Sequence, residues 1–139
     1  MLIQLTYSSR ATSPVDSKDL RSLIATAQVN NATRGITGAL CYASGTFLQC
    51  LEGERLAVNQ LYLHLAKDKR HNEMEISSMT EISERRFPNW TMGFFSYEND
   101  IGQLFLKHSR MAEFSPFSMN ASDVNKFFDE VVKYNSLSK

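Results

Sequence analysis

Residues 2 to 7 alternate in polarity, with Ile3, Leu5 and Tyr7 on one parity and Gln4 and Thr6 on the other. That is the period of a half-buried strand. Ser8 to Ser13 is turn-like, and Pro14 followed by Asp16 or Ser17 opens a helix in capping order. Leu20, Leu23, Ile24 and Ala27 then recur at i, i+3, i+4 and i+7, the stripe of a helix facing a sheet, and Asn30-Asn31 with Gly35 end it. Residues 35 to 42 and 46 to 52 predict two strands, joined through Ala43-Ser44-Gly45 as a hairpin. Gly53 stops the second strand, and a helix running to about Lys67 carries Val58, Leu61 and Leu65 on its inner face. Asp68 to Asn72 reads as a polar loop. Residues 75 to 85 and 92 to 97 read as two more strands, separated by Phe87-Pro88-Asn89-Trp90. The tail holds one or two helices: Val124, Phe127, Phe128, Val131 and Val132 fall at helical spacing, and Pro116 and Ser122-Asp123 mark the break before them.

The order β-α-β-β-α-β-β followed by helices predicts an α+β sandwich of ferredoxin-like type. Two helices cover one face of a mixed sheet, and the tail covers the other face or an edge. The 139 residues, 42% of them hydrophobic, suffice for one ordinary core. Fifteen basic residues balance fifteen acidic ones, so the basic excess needed for a sequence-independent grip on nucleic acid is missing. Gly38 to Ala43, the longest nearly apolar run, falls far short of the ~20 residues that span a bilayer. Met1-Leu2-Ile3-Gln4 lacks the basic start of a signal peptide, and two cysteines are no disulfide framework. The expectation is a soluble cytoplasmic domain that meets neither nucleic acid nor membrane directly.

Two polar residues sit on the wrong parity. Gln49 lies between Phe47 and Leu51 on one face of its strand, and Tyr7 shares the apolar face of Ile3 and Leu5. A buried amide or hydroxyl left without a partner costs about 1–3 kcal/mol. Either these residues satisfy each other or a backbone group, or they line a site for a planar polar ligand beneath the helix that ends in Asn30-Asn31. Cys41 and Cys50 read as small buried thiols. His64, His71 and His108 show no metal-ligand spacing, Gly35 and Gly38 do not open a helix, and Ser8-Ser9 lacks a nucleophile elbow. Arg70-His71 suits a phosphate or ribose, or belongs with Lys67 to Arg70 to a solvated charge run.

Five ordered elements resemble the BLUF family of flavin-based blue-light sensors. They are Tyr7-Ser8-Ser9; Asn31 with Gly35-Ile36-Thr37-Gly38; Phe47-Leu48-Gln49-Cys50-Leu51-Glu52-Gly53; Asp68-Lys69-Arg70-His71; and Phe87-Pro88-Asn89-Trp90-Thr91-Met92-Gly93. The resemblance covers residues 1 to about 97 and implies a flavin-binding domain over 1–97, with a helical extension over 98–139 packing on it. The implied cofactor is a non-covalent flavin between the two helices, usually FAD, with FMN sharing the same ring site. Leu23 and Leu65 match positions that sandwich the ring; Asn31, with Asn30, matches its hydrogen-bond partners. Phe47 belongs to the matching strand, and Asp68, Arg70 and His71 match residues at the ring edge and the ribityl or phosphate side. Tyr7 is implied as electron donor, Gln49 as amide switch, and Trp90 and Met92 as the segment reporting outward. His64 stands where several relatives carry arginine, which weakens a phosphate contact there.

The resemblance implies a photoreceptor rather than an enzyme, signalling through the tail to a downstream regulatory protein. An open sheet edge and an apolar tail suit a homodimer or higher homo-oligomer. Two alternatives compete: a light-insensitive interaction module of the same fold, and an acylphosphatase-like hydrolase using Arg10 and Asn31 on a phosphate.

Overall fold

The structure, a computed structural model, describes residues 1–96, 102–108 and 115–138. Five strands form one sheet: β1 (Leu2–Ala11), β2 (Thr37–Ala43), β3 (Thr46–Glu54), β4 (His71–Glu81) and β5 (Gly93–Ser96). Helix α1 (Ser17–Arg34) links β1 to β2, and α2 (Arg55–Ala66) links β3 to β4. Helices α3 (Gly102–His108) and α4 (Ala121–Ser138) follow β5, with a 3-10 turn at Pro116–Ser118 between them. The sheet order is β4-β1-β3-β2-β5. Neighbours are antiparallel, except that β5 runs parallel to β2. This is the ferredoxin-like α+β arrangement with a fifth strand added beside β2.

Local chemistry accounts for both ends of α1 and for the turn between β2 and β3. The Asp16 carboxylate accepts from the Asp19 N–H at 2.7 Å and caps α1, while Gly35 at φ 66° closes it in the left-handed region. Ser44 and Gly45, at φ 51° and 77°, make a tight turn whose twist suits the β2–β3 hairpin.

The strand period divides the interior into two cores. Ile3, Leu5, Tyr7, Phe47 and Leu51 face α1 and α2, together with Ile36, Leu40, Val58, Leu61 and Met92. Leu48, Cys50, Ala39 and Cys41 face the tail, where Phe105, Val124, Phe127, Phe128 and Val131 complete a second core. Both cysteines are buried there, and burial pushes the Cys50 thiol up to about 12. The tail therefore covers the sheet face opposite α1 and α2. The boundary expected at 97/98 lies outside the described residues.

Several boundaries differ from the sequence expectation. Strand β1 runs on through Ser8–Ala11, read above as a turn, because it lies inside the sheet and pairs with both β3 and β4. Strand β4 begins at His71 and ends at Glu81, so His71 and Asn72 are strand rather than loop and residues 82–85 are loop rather than strand. Two irregularities in the β1–β4 pairing, with Glu73 at φ 52°, blur the alternation that would have located it. Strand β2 starts at Thr37, two residues late, since Gly35 belongs to the helix cap. Tyr97, expected at the end of the last strand, is outside the described residues.

The break before α4 is set by Asn120 together with Asp123. Its Oδ1 accepts from the Asp123 N–H at 2.8 Å, and the Asp123 carboxylate accepts from the Asn120 N–H at 3.2 Å. This reciprocal cap satisfies donors on both sides of the helix start. Asn120→Ala is expected to lower stability by about 1 kcal/mol. The check is a shift of the denaturant midpoint at unchanged slope.

Candidate ligand-binding site

Helix α1 is the first sign of a site. Of its eighteen residues the structure buries only Asn31, and Leu20, Leu23, Ile24 and Ala27 remain half-buried. An amphipathic helix packed directly on a sheet would bury that stripe. Helix α2, on the same face, buries Val58 and Leu61. Between the two helices and the sheet lies a cleft of about 310 Å³, at the lower end of the range for small-molecule sites.

Tyr7 and Gln49, neighbours in the β1–β3 register, lie in its floor with Leu40 and Phe47. The Tyr7 hydroxyl donates to Gln49 Oε1, and Gln49 Nε2 donates to the Met92 sulfur at 3.4 Å. The two residues thus satisfy each other, as the first reading of the parity anomaly has it, and they also line a cavity. Burial, with smaller contributions from Tyr62 and Asp68, raises the Tyr7 pKa far above its ordinary value, so the hydroxyl stays a donor throughout the neutral range. Tyr62 meets the Tyr7 ring edge-on, with centroids 5.6 Å apart.

At one end of the cleft are Asn30 and Asn31, with Ala27 one turn and Leu23 two turns earlier. Asn31 Nδ2 donates to the Thr91 carbonyl at 2.9 Å, and Gln28 Nε2 donates to the Met92 carbonyl at 3.1 Å. The end of α1 is thereby tied to the segment before β5. At the other end Leu65, Asp68, Arg70 and His71 line the wall. Asp68 is held at about 2 chiefly by its hydrogen bonds from the Arg70 side chain, whose Nη2 lies 2.6 Å from its carboxylate. His71 Nε2 bonds the Leu65 carbonyl at 2.6 Å and Nδ1 meets Ser9 Oγ at 2.8 Å. A carbonyl can only accept, so Nε2 carries a proton. These bonds pin the end of α2 to β1 and β4.

The ten sequence-derived positions Tyr7, Leu23, Asn30, Asn31, Phe47, Gln49, Leu65, Asp68, Arg70 and His71 all line the cleft. Trp90 and Met92 do not. Met92 is buried beneath Gln49, whereas Trp90 turns to the tail-side core, stacked on Phe87 at 4.9 Å and near Phe95 at 5.6 Å. Leu40, Ser22 and Thr26 also line the cleft and were not expected there; His64, matched above to a position where several relatives carry arginine, lines it too. Ser22, Thr26 and Asn30 repeat every four residues beside the apolar stripe, a polar row that could have marked a helix bordering a ligand. The hydrolase alternative fails on placement. Arg10 pairs with Glu73 at 2.6 Å and lies over the Phe117 ring on the tail side, across the sheet from Asn31.

Comparison with known proteins matches this arrangement. A family model described as "BLUF: Sensors of blue-light using FAD" fits residues 2–93. The chain belongs to the BLUF family. Among curated BLUF-bearing relatives, photoactivated adenylate cyclase subunit beta of Euglena gracilis is 41% identical over 92 residues, covering 66% of this chain and 11% of that protein. Subunit alpha from the same organism is 35% identical over 133 residues, covering 96% of this chain and 12% of its own length. The chain thus spans about a tenth of the length of these relatives. Among solved structures, the photo-activated state of BlsA aligns with TM-score 0.85 at 30% identity, over 95% of both chains. The dark state of BlrB, a BLUF protein, aligns with TM-score 0.80 at 30% identity, over 95% of this chain and 96% of that one. Both alignments extend well past residue 93, so the likeness to these BLUF proteins takes in the tail as well.

Among the described residues, no helix is long and apolar enough to cross a membrane. No cluster of His, Cys, Asp and Glu among them suits a metal ion.

Proposed function

We propose that this chain senses blue light through a flavin bound in the α1–α2 cleft, and that Tyr7 and Gln49 convert absorption into a change of hydrogen bonding. The observation that carries the reading is the Tyr7–Gln49–Met92 relay in the floor of a slot that holds the α1 stripe half-exposed. A flat ring with polar edges fits such a slot, with apolar walls and polar groups at the floor and both ends. Leu23 and Leu65 would contact its faces. Asn31, whose Oδ1 is not engaged by the Thr91 bond, would meet one edge with Asn30. The Asp68–Arg70 pair and His71 would close the far side, with His64 and Phe47 beside them. FAD is the cofactor we assign, following the family's description.

When bound, the flavin supplies visible absorption and, once excited, an acceptor for one electron. Tyr7 is the donor. Loss of an electron makes its hydroxyl strongly acidic, and the proton leaves toward Gln49 Oε1, the atom it already bonds. On return of the electron Tyr7 would take one proton back from the Gln49 amide: the same proton leaves the amide neutral and rotated, and an Nε2 proton in its place leaves the imidic tautomer, with no net gain or loss of protons. Rotation would place Oε1 where Nε2 now donates to Met92; two acceptors then face each other, and the bond to Met92 is lost. A hydrogen bond of net worth about 0.5–1.5 kcal/mol is enough to shift a two-state segment several-fold. No catalytic step is required of this chain. We propose that the unit 1–97 passes the change through the extension 98–139 to a protein partner, which can be another copy of the chain.

The test is the visible spectrum of the purified protein in darkness and under blue light. A flavin band that moves slightly to the red and recovers in the dark supports the sensor. A protein that stays colourless and takes up no added flavin, or a flavin band that light leaves in place, overturns it. The second of these results would favour the light-insensitive interaction module.

A further inference from the structure

Glu52 is fully buried on the tail side of β3, three residues beyond Gln49. A carboxylate without water must be satisfied by donors or it costs far more than any packing gain. Here Oε2 accepts from Gln4 Nε2 at 2.7 Å and from the Arg86 N–H at 2.8 Å, and Oε1 accepts from the Phe87 N–H at 2.8 Å. Two of the three donors are backbone groups of one loop, so Glu52 fixes where the chain between β4 and β5 begins its return. Arg85 adds bonds from its guanidinium to Thr37 Oγ1 at 2.9 Å and to the Gly35 carbonyl at 2.8 Å.

The Arg86 guanidinium continues outward to α4. Its Nε lies 3.0 Å from the Asp129 carboxylate, and its Nη2 donates to Asn125 Oδ1 at 3.3 Å and Gln4 Oε1 at 3.2 Å. Its Nη1 is buried without a hydrogen-bond acceptor among the described residues, so this clasp is not at an optimum that would resist rearrangement. Beyond Phe87, the Trp90 carbonyl accepts from the Gly38 N–H at 2.9 Å. The strap ends where Asn31, Gln28 and Gln49 hold Thr91 and Met92. One short segment, 85–92, therefore touches the Gln49 amide at one end and α4 at the other.

We propose that Glu52 and Arg86 are positioning residues that couple the Gln49 switch to the tail: Glu52 seats the strap, and Arg86 transmits its displacement to α4 through Asp129 and Asn125. The coupling rests on the sensor reading above but makes a separate claim, since the photochemistry at Gln49 does not need it. The test pairs the flavin spectrum with hydrogen exchange of the α4 amides 121–133, in darkness and under blue light. It uses the whole 139-residue chain and its Asn125→Ala/Asp129→Ala variant, which removes the α4 side chains that meet Arg86, with the Asn125 bond to Ser78 on β4, and leaves Glu52 and the cleft intact. In the parent protein, light is expected to raise α4 exchange about five-fold, the change in local opening that follows loss of one hydrogen-bond-sized contact. In the variant, exchange is expected to be raised already in darkness and to gain nothing in light, while the red shift persists unchanged. Asp129→Glu, which keeps the carboxylate, is expected to retain the light response. A variant whose α4 still responds to light like the parent overturns the coupling, as does a parent whose band shifts while α4 exchange stays constant. A parent whose band never shifts overturns the sensor reading itself, and the coupling with it.

Discussion

Tyr7→Phe is expected to give a yellow protein that no longer changes colour in blue light. The substitution removes one oxygen and leaves the ring packed edge-on against Tyr62 in the cleft floor, so the flavin is retained. The electron donor is weakened and the proton bound to Gln49 Oε1 is gone. Gln49→Leu removes the amide instead and keeps the donor, and it should equally abolish the shift. Each change strands one buried polar partner, at a cost of about 1–3 kcal/mol in stability, which a domain of this size tolerates. The measurement is the lit-minus-dark absorption difference. A reversible shift of parental size in Tyr7→Phe would remove Tyr7 from its role, and one in Gln49→Leu would remove the amide switch. The pH dependence follows from the same burial. Because the folded pKa of Tyr7 is raised above its unfolded value near 10, the hydroxyl's contribution to stability is complete below that pH and is lost only as pH rises beyond it. The shift amplitude should therefore be flat from about pH 6 to pH 9.

Gly38→Ala is expected to be the most damaging single change to the fold. Gly38 pairs with Leu51 across the β2–β3 ladder, and a Cβ there would sit 2.0 Å from the Cys50 carbonyl oxygen and 3.0 Å from its carbon. Both are backbone atoms of a strand held on either side, so no rotamer change can relieve the clash. The strands must separate where Leu40 and Gln49 are paired two residues further along and where the Gly38 N–H holds the Trp90 carbonyl. Overpacking usually costs about 1–3 kcal/mol, and an immovable backbone contact takes this one to roughly 3–5 kcal/mol. Chemical denaturation should show a large fall in midpoint. A near-parental midpoint would mean that the β2–β3 ladder is not as tight as the structure has it.

The elements with one strong period were legible in the sequence. The α1 stripe, the β2–β3 hairpin and the apolar run in α4 each carry a signal that tertiary packing does not contradict. Misplaced boundaries fall where a long-range partner decides. Ser8-Ser9-Arg10 looks like a turn until β3 and β4 flank it. His71 looks like loop until both ring nitrogens are tied to Leu65 and Ser9.

The site divides in the same way. The wrong-parity positions of Tyr7 and Gln49 announced a polar cleft floor, because alternation is a local property of an extended chain. Leu40 carries no such mark, since its place in the floor depends on pairing with Gln49. The sorting of Trp90 to the tail-side core and Met92 to Gln49 was equally invisible, because two apolar residues two apart can fill either core until the strap carrying them is fastened. Glu52 gave no warning either. Its burial is tolerated only because Gln4, Arg86 and Phe87, brought from distant parts of the chain, present three N–H groups to it. By itself the sequence determined the order of elements, the anomaly that located the cleft and the motifs of the family. The tertiary structure alone decided which side chains meet across the sheet and how the cleft is joined to the tail, because those contacts depend on strand register and long-range pairing rather than on local period.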